Sequence, residues 1–142
     1  MKGFGSSFRL FRFENRIFLD FFGFQTDNYL HMKRELEAQL KKDLEKKMLL
    51  ISGPRQVGKT TLSKNLSKTF TYLNFDSLKD RKDILRNHWQ RDVPIIFDEL
   101  HKMKKWKQWL KGIYDTEVNP QIIVTGSAKM DTFKRVGDSM AG

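Results

Sequence analysis

A glycine-containing segment between an apolar run and a helical stretch constrains the fold more than any other feature of the chain. It reads Gly53-Pro54-Arg55-Gln56-Val57-Gly58-Lys59-Thr60-Thr61 and contains the pattern Gly-x-x-x-x-Gly-Lys-Thr. Glycine lets a backbone turn back on itself and approach an anion closely, because no Cβ stands in the way. Consecutive backbone N–H groups and the start of the following helix then form a cradle for phosphate oxygens. The segment therefore predicts a strand, a phosphate-binding loop and a helix, in that order.

The end of this segment carries the side-chain chemistry of a nucleotide site. The Lys59 ammonium can reach β- and γ-phosphates, and the Thr60 hydroxyl can ligate Mg²⁺. We expect the whole segment to bind a nucleoside triphosphate, with Lys59 also serving catalysis. The alternative is a glycine-rich turn without a ligand, and the strand-then-helix context argues against it. The roles of Arg55 and Gln56 stay open.

A second motif lies one helix, one strand and another helix further along the chain, where the apolar run Ile95-Ile96-Phe97 ends in Asp98-Glu99. The carboxyl ends of buried strands form the edge at which α/β folds bind ligands. We predict that Asp98 holds Mg²⁺, usually through water, and that Glu99 orients or deprotonates the water that attacks the γ-phosphate. The alternative is that the two acids cap the following helix, and the position downstream of the loop favours catalysis.

A third candidate follows the last predicted strand, which ends in Thr125-Gly126-Ser127. The hydroxyl of Thr125 or of Ser127 could sense a γ-phosphate or align the attacking water. Both residues are equally well explained as turn residues that leave a strand.

Alternation of strands and helices predicts an α/β fold with a parallel, doubly wound sheet. The predicted strands are 47–52, 70–75, 93–97 and 121–125. The predicted helices run from Asp27 or Asn28 to 46, from 59 to 67, from a cap at Ser77 onward with Ile84, Leu85 and Trp89, and from 104 to 114.

Composition limits the partners and the cellular compartment that suit the chain. It has 27 Lys and Arg against 17 Asp and Glu, a net charge of +10, which suits nucleic acid or an acidic surface. Lysines that solvate helix faces explain the excess at least as well. The absence of Cys fits a reducing compartment, and we expect a cytoplasmic protein. No apolar run approaches the roughly 20 residues of a membrane span, so no membrane association is predicted. His31, His88 and His101 lack metal-ligand spacing and are expected to be surface or packing residues.

Residues 1–27 differ from the rest, because eight of the twelve Phe lie there among arginines. Aromatic residues among arginines could stack on bases. A secretory signal is disfavoured, because Asp20 interrupts the best apolar run and no small-residue cleavage site follows. The alternative is that the segment is disordered or not native protein, with Met32 as the true start. We therefore divide the chain into this segment and a domain over 28–142.

The motifs 53–61, 96–99 and 124–127 together resemble those of prokaryotic AAA-type ATPases whose P-loop reads G-P-R-Q-V-G-K-T-T and which carry a C-terminal domain of unknown function. The resemblance covers about residues 30–142. It implies an ATP- and Mg²⁺-dependent hydrolase with a P-loop NTPase fold of about four strands in the order 1-4-3-2. The region of Trp106 and Lys111 and the closing residues 137–142 fit the same pattern.

One departure from that family concerns the end of the chain. Relatives continue past the equivalent of Gly142 with an Arg, a fifth strand, lid elements and the C-terminal domain. We therefore expect a fragment in which strand one has an unpaired edge, ATP binding is weak and turnover is small.

Other functions fit the residues less well. GTP is disfavoured, because Ala128 replaces the Asn of the guanine-reading N-K-x-D and Asp98-Glu99-Leu100-His101 lacks the Gly of D-x-x-G. The segment 98–101 also matches the helicase-like pattern D-E-x-H, but it lies closer to Lys59 in the sequence than is usual in a helicase. A small-molecule kinase lacks a readable acceptor site. The main alternative is a non-hydrolysing, nucleotide-responsive basic module that binds nucleic acid or a protein partner.

Overall fold

The computed structural model describes residues 8–13, 16–21, 29–118 and 120–127. Within these residues the chain forms six strands, four α-helices and a 3₁₀ helix at Leu100–Lys102. The strands are β1 (Phe8–Phe13), β2 (Arg16–Phe21), β3 (Met48–Ser52), β4 (Thr71–Asn74), β5 (Ile95–Asp98) and β6 (Ile122–Gly126). The α-helices are α1 (Tyr29–Leu44), α2 (Lys59–Asn65), α3 (Leu78–Leu85) and α4 (Trp106–Thr116). The expected cap at Asp27 or Asn28, the segment around Ala128 and residues 137–142 lie outside the described residues.

One sheet contains all six strands, in the order β1-β2-β3-β6-β5-β4. The four strands β3, β6, β5 and β4 are parallel to one another. Their order is the predicted order 1-4-3-2, which is confirmed. The last strand of the described chain therefore lies between the first and the third strands of this parallel set.

The outer edge of β3 is paired, and the expectation that this edge is open is wrong. Strand β2 runs parallel to β3, with its register extending from Arg16 opposite Met48 to Asp20 opposite Ser52. Strand β1 pairs antiparallel with β2 and forms the new edge of the sheet. Neither strand was predicted, although aromatic and β-branched residues are typical of strands. Whether residues 1–27 are native protein stays a hypothesis.

Apolar residues on the two faces of the sheet form two core clusters. On one face, Leu49 and Ile51 of β3 pack with α1 and α2. The α1 stripe of Leu36, Leu40 and Leu44 is buried there, as its i, i+4 spacing predicts. The other face packs Leu50 and Phe97 against α3, the 3₁₀ helix and α4. The strands at the centre are therefore covered on both sides, as parallel sheets require.

Helix α3 has the predicted cap but a shorter length than expected. The Ser77 hydroxyl accepts a hydrogen bond from the Asp80 backbone N–H at 3.3 Å. The helix ends at Leu85, so Trp89 lies beyond it. Leu85 itself is exposed. Trp89 instead contacts Phe97 edge-to-face at a centroid distance of 5.3 Å. In the described part of the chain, no helix has both the length and the apolar character to cross a membrane.

Candidate functional site

The glycine-containing loop joins β3 to α2 at the carboxyl edge of the sheet. Gly53 has φ 151° and Gly58 has φ 86°, which side chains with a Cβ rarely adopt. A Cβ added at Gly58 would meet none of the described atoms within 4 Å, so backbone conformation, rather than space, requires glycine there. Gln56 also has a left-handed backbone, at φ 63°. The loop therefore reverses direction sharply, as the sequence predicts.

Most of the loop faces solvent. Of the nine predicted binding residues in the segment 53–61, five are exposed, two are half-buried and two are buried. The exposed ones are Pro54, Arg55, Gln56, Gly58 and Thr61, the half-buried ones are Val57 and Thr60, and the buried ones are Gly53 and Lys59. A ligand in solution can therefore approach the loop backbone directly.

Lys59 is buried and folds back across its own loop. Only 8% of the residue is exposed. Its Nζ donates to the carbonyl oxygens of Gly53 at 2.9 Å and Pro54 at 2.5 Å. Burial lowers the pKa of Lys59, and the nearby charges of Glu99 and Asp98 oppose that shift. Neutral carbonyls are weaker partners for an ammonium than an anionic oxygen, so this lysine can exchange them for a phosphate.

Asp98, at the end of β5, is the centre of a hydroxyl network. Its Oδ1 accepts a hydrogen bond from Thr125 Oγ1 at 2.6 Å. Its Oδ2 accepts from Tyr72 Oη at 2.6 Å and from Thr60 Oγ1 at 3.3 Å. Thr125 lies directly opposite Asp98 in the β5–β6 register. The structure thus joins three predicted site residues, Thr60, Asp98 and Thr125, and adds Tyr72 to them.

Glu99 leaves the strand with a left-handed backbone, at φ 56°. Its N–H still donates to the carbonyl oxygen of Thr125 at 3.0 Å. Glu99 stands at the N-cap position of the 3₁₀ helix, but its side chain makes no cap hydrogen bond within the described residues. Instead, Glu99 Oε2 lies 3.2 Å from Lys102 Nζ and 3.6 Å from His101 Nε2. The contact with Lys102 is an ion pair, whereas the contact with His101 is ionic only when that ring is protonated.

Two further contacts extend this cluster. Lys102 Nζ donates to Asp76 Oδ2 at 2.5 Å, and this hydrogen bond raises the pKa of Lys102. His101 Nε2 lies 3.4 Å from Ser127 Oγ. Burial lowers the pKa of His101, and Nδ1 of that ring has no hydrogen-bond partner among the described residues. Ser127, predicted for the site, therefore meets Glu99 only through His101.

Sequence reasoning missed Tyr72 and Lys102. Tyr72 reaches Asp98 because of the register between β4 and β5, which a single sequence does not show. Lys102 stands in a lysine-rich stretch that we interpreted as a solvated helix face. It is exposed, but it pairs with Asp76 and Glu99.

The oxygen donors at this edge fit a magnesium ion that arrives with a nucleotide. Mg²⁺ prefers oxygen ligands and keeps several waters or phosphate oxygens in its shell. Thr60 supplies a hydroxyl and Asp98 a carboxylate, and they lie within hydrogen-bond distance of each other. Over the described ranges, no three His, Cys, Asp or Glu residues gather into a metal site. The donor set therefore suits a nucleotide-bound ion better than a cage made by the protein alone.

The parallel sheet, its strand order and the loop between β3 and α2 define a domain of the P-loop NTPase type. A family model described as an AAA domain matches residues 45–142, which is more than half of the chain, and the chain belongs to this family. The comparisons with curated proteins and with solved structures give no significant match. Membership indicates a nucleotide-binding function of the ATPase type.

Proposed function

We propose that this domain binds ATP with Mg²⁺ and hydrolyses it. The observation that carries the proposal is the contact between Thr60 Oγ1 and Asp98 Oδ2 at 3.3 Å. These residues are 38 positions apart and come from different elements, α2 and β5. Folding brings a hydroxyl and a carboxylate together beside the Lys59 ammonium, which is the donor set that a magnesium–triphosphate complex needs.

Each predicted residue then has a role in binding. The backbone N–H groups of the loop hold phosphate oxygens, and Lys59 moves its ammonium from the carbonyls of Gly53 and Pro54 to the β- and γ-phosphates. Thr60 and Asp98 hold the metal ion, directly or through water. Bound Mg²⁺ would neutralise charge on the phosphate oxygens.

Glu99 is the group that we propose orients the attacking water and accepts its proton. Its Oε2 lies beside Lys102 and His101, so this contact must open or be shared when the water binds. Ser127 Oγ lies 3.4 Å from His101 Nε2, the same ring nitrogen that faces Glu99, and is placed to respond to such a movement. The Thr125 hydroxyl donates a hydrogen bond to Asp98 and so acts on the site through that carboxylate.

The test combines an ATP-binding titration with steady-state hydrolysis, each measured with and without Mg²⁺. Lys59→Ala is expected to abolish binding, because the ammonium between the loop carbonyls is lost. Glu99→Gln is expected to keep binding and lose turnover. Lys68→Ala and Glu45→Gln are matched controls at exposed positions and should leave both measurements unchanged.

Three results would separate the alternatives. Absence of ATP binding by the unmodified chain would overturn the proposal. Binding with equal turnover in Glu99→Gln would remove Glu99 from the mechanism. Salt-dependent DNA binding that survives Lys59→Ala, without ATP binding, would favour the basic module instead.

A further inference from the structure

The Asp98 carboxylate accepts hydrogen bonds from three hydroxyl groups, two from threonines and one from a tyrosine. Under the proposed function, Thr60 belongs to the nucleotide site itself. Thr125 holds Oδ1 from the neighbouring strand at 2.6 Å. Tyr72 holds Oδ2 at 2.6 Å, whereas the Thr60 contact to the same oxygen is longer, at 3.3 Å. The shorter hydrogen bond to Oδ2 therefore comes from Tyr72.

The sheet places Tyr72 for this contact. Strand β4 pairs with β5 so that Tyr72 lies opposite Ile96 and Asn74 lies opposite Asp98. Side chains two residues apart on a strand share a face, and an aromatic side chain can reach a diagonal neighbour on the next strand. The phenol therefore points along the sheet to the end of β5, where its hydroxyl meets the carboxylate.

The Tyr72 ring is fixed independently of its hydroxyl. It packs against the apolar cluster under α1 and α2. Lys64 of α2 also places its Nζ 4.3 Å from the centre of the ring. The Tyr72 hydroxyl donates to Asp98 Oδ2 at 2.6 Å while the ring is held by these contacts. A donor held in this way fixes the orientation of its acceptor.

We propose that Tyr72 is a positioning residue that orients Asp98 for the magnesium ion of the bound nucleotide. The inference rests on the proposed function, in which Asp98 holds that ion. Donors that orient a metal-holding carboxylate are worth about 10- to 100-fold in metal affinity when they are removed. Tyr72 touches neither the nucleotide nor the reacting atoms in this assignment and acts only through Asp98.

Tyr72→Phe tests this assignment, because it removes the hydroxyl and keeps the ring with its contact to Lys64. The measurement is ATP binding at a series of Mg²⁺ concentrations, with a parallel titration in excess chelator. We expect the Mg²⁺ concentration at half-maximal effect to rise about 10-fold, while Mg²⁺-free ATP binding stays as in the unmodified chain. Tyr114→Phe is the matched control, since its hydroxyl donates to the Lys46 carbonyl at 3.4 Å, away from Asp98.

Each other outcome has a definite meaning. An unchanged Mg²⁺ requirement in Tyr72→Phe, with normal ATP binding, would overturn the role of Tyr72 and leave the proposed function standing. An equal loss of Mg²⁺-free binding would indicate general loosening of the site and would also overturn the role. Absence of Mg²⁺-dependent ATP binding in the unmodified chain would overturn the proposed function, and the inference with it.

Discussion

Replacing Thr125 with Val removes one hydroxyl from the interior and leaves the shape of the side chain almost unchanged. Thr125 is fully buried, and its Oγ1 donates to Asp98 Oδ1 at 2.6 Å. After the replacement, Asp98 Oδ1 loses its short hydrogen bond from residue 125, and water reaches this position poorly. Hydrogen bonds to charged groups contribute about 1.5–3 kcal/mol each.

We expect Thr125→Val to lower the free energy of unfolding by about 2 kcal/mol, toward the lower end of that range. The reason is that Oδ2 keeps its donors Tyr72 and Thr60, so the carboxylate is not left unsupported. Valine fills the same volume, and no cavity adds to the loss. Urea denaturation, followed by circular dichroism, measures the change directly from the shift of the midpoint at constant slope.

Two companion variants make the result specific. Thr116→Val removes a hydroxyl that donates to the Gly112 carbonyl at the exposed end of α4, and it should change stability by less than about 0.5 kcal/mol. Thr125→Ser keeps the donor and should recover part of the loss. A Thr125→Val chain that unfolds at the same urea concentration as the unmodified chain would refute the buried hydrogen bond.

Three further predictions concern the core, the sheet edge and pH. Leu40→Ala should cost about 2–5 kcal/mol in urea unfolding, because Leu40 is 0% exposed, whereas Leu85→Ala, at 59% exposed, should cost little. Equal losses would contradict the packing of α1. Deleting residues 1–21 uncovers the edge of β3 and should increase self-association in light scattering, while deleting 1–7 should not. Burial lowers the pKa of folded His101 below its ordinary value near 6.5, so the unfolded chain takes up that proton first. Stability should therefore fall as pH drops from about 6.5 through the lowered pKa. His101→Gln should weaken this dependence in thermal unfolding, and an unchanged pH profile would remove His101 as its source.

The sequence predicts those parts of the fold that depend on local pattern. The loop conformation follows from Gly53 and Gly58, and the burial of α1 follows from the spacing of its leucines. The order of the four parallel strands comes from the family resemblance, and the structure confirms it.

Features that depend on pairing between distant residues were not predictable. Strand β2 pairs with β3 although the whole of α1 lies between them in the sequence, and nothing local in residues 16–21 specifies that partner. The hydrogen bond from Tyr72 to Asp98 depends on register, since a shift of one residue would turn the phenol to the opposite face. The ion pair between Glu99 and Lys102 depends on the left-handed backbone at Glu99, which is uncommon for a non-glycine residue.

The position of β6 has a consequence for the way in which the chain is made. This strand is the last described element, yet it lies between β3 and β5 and pairs with both. While the ribosome is still translating residues before 122, each of these strands lacks a neighbour, and Asp98 lacks the hydroxyl of Thr125. The parallel sheet therefore closes only after β6 has been synthesised, through contacts between residues far apart in sequence, which form slowly. Until then, the exposed edges of the nascent strands are the surfaces that chaperones would need to protect.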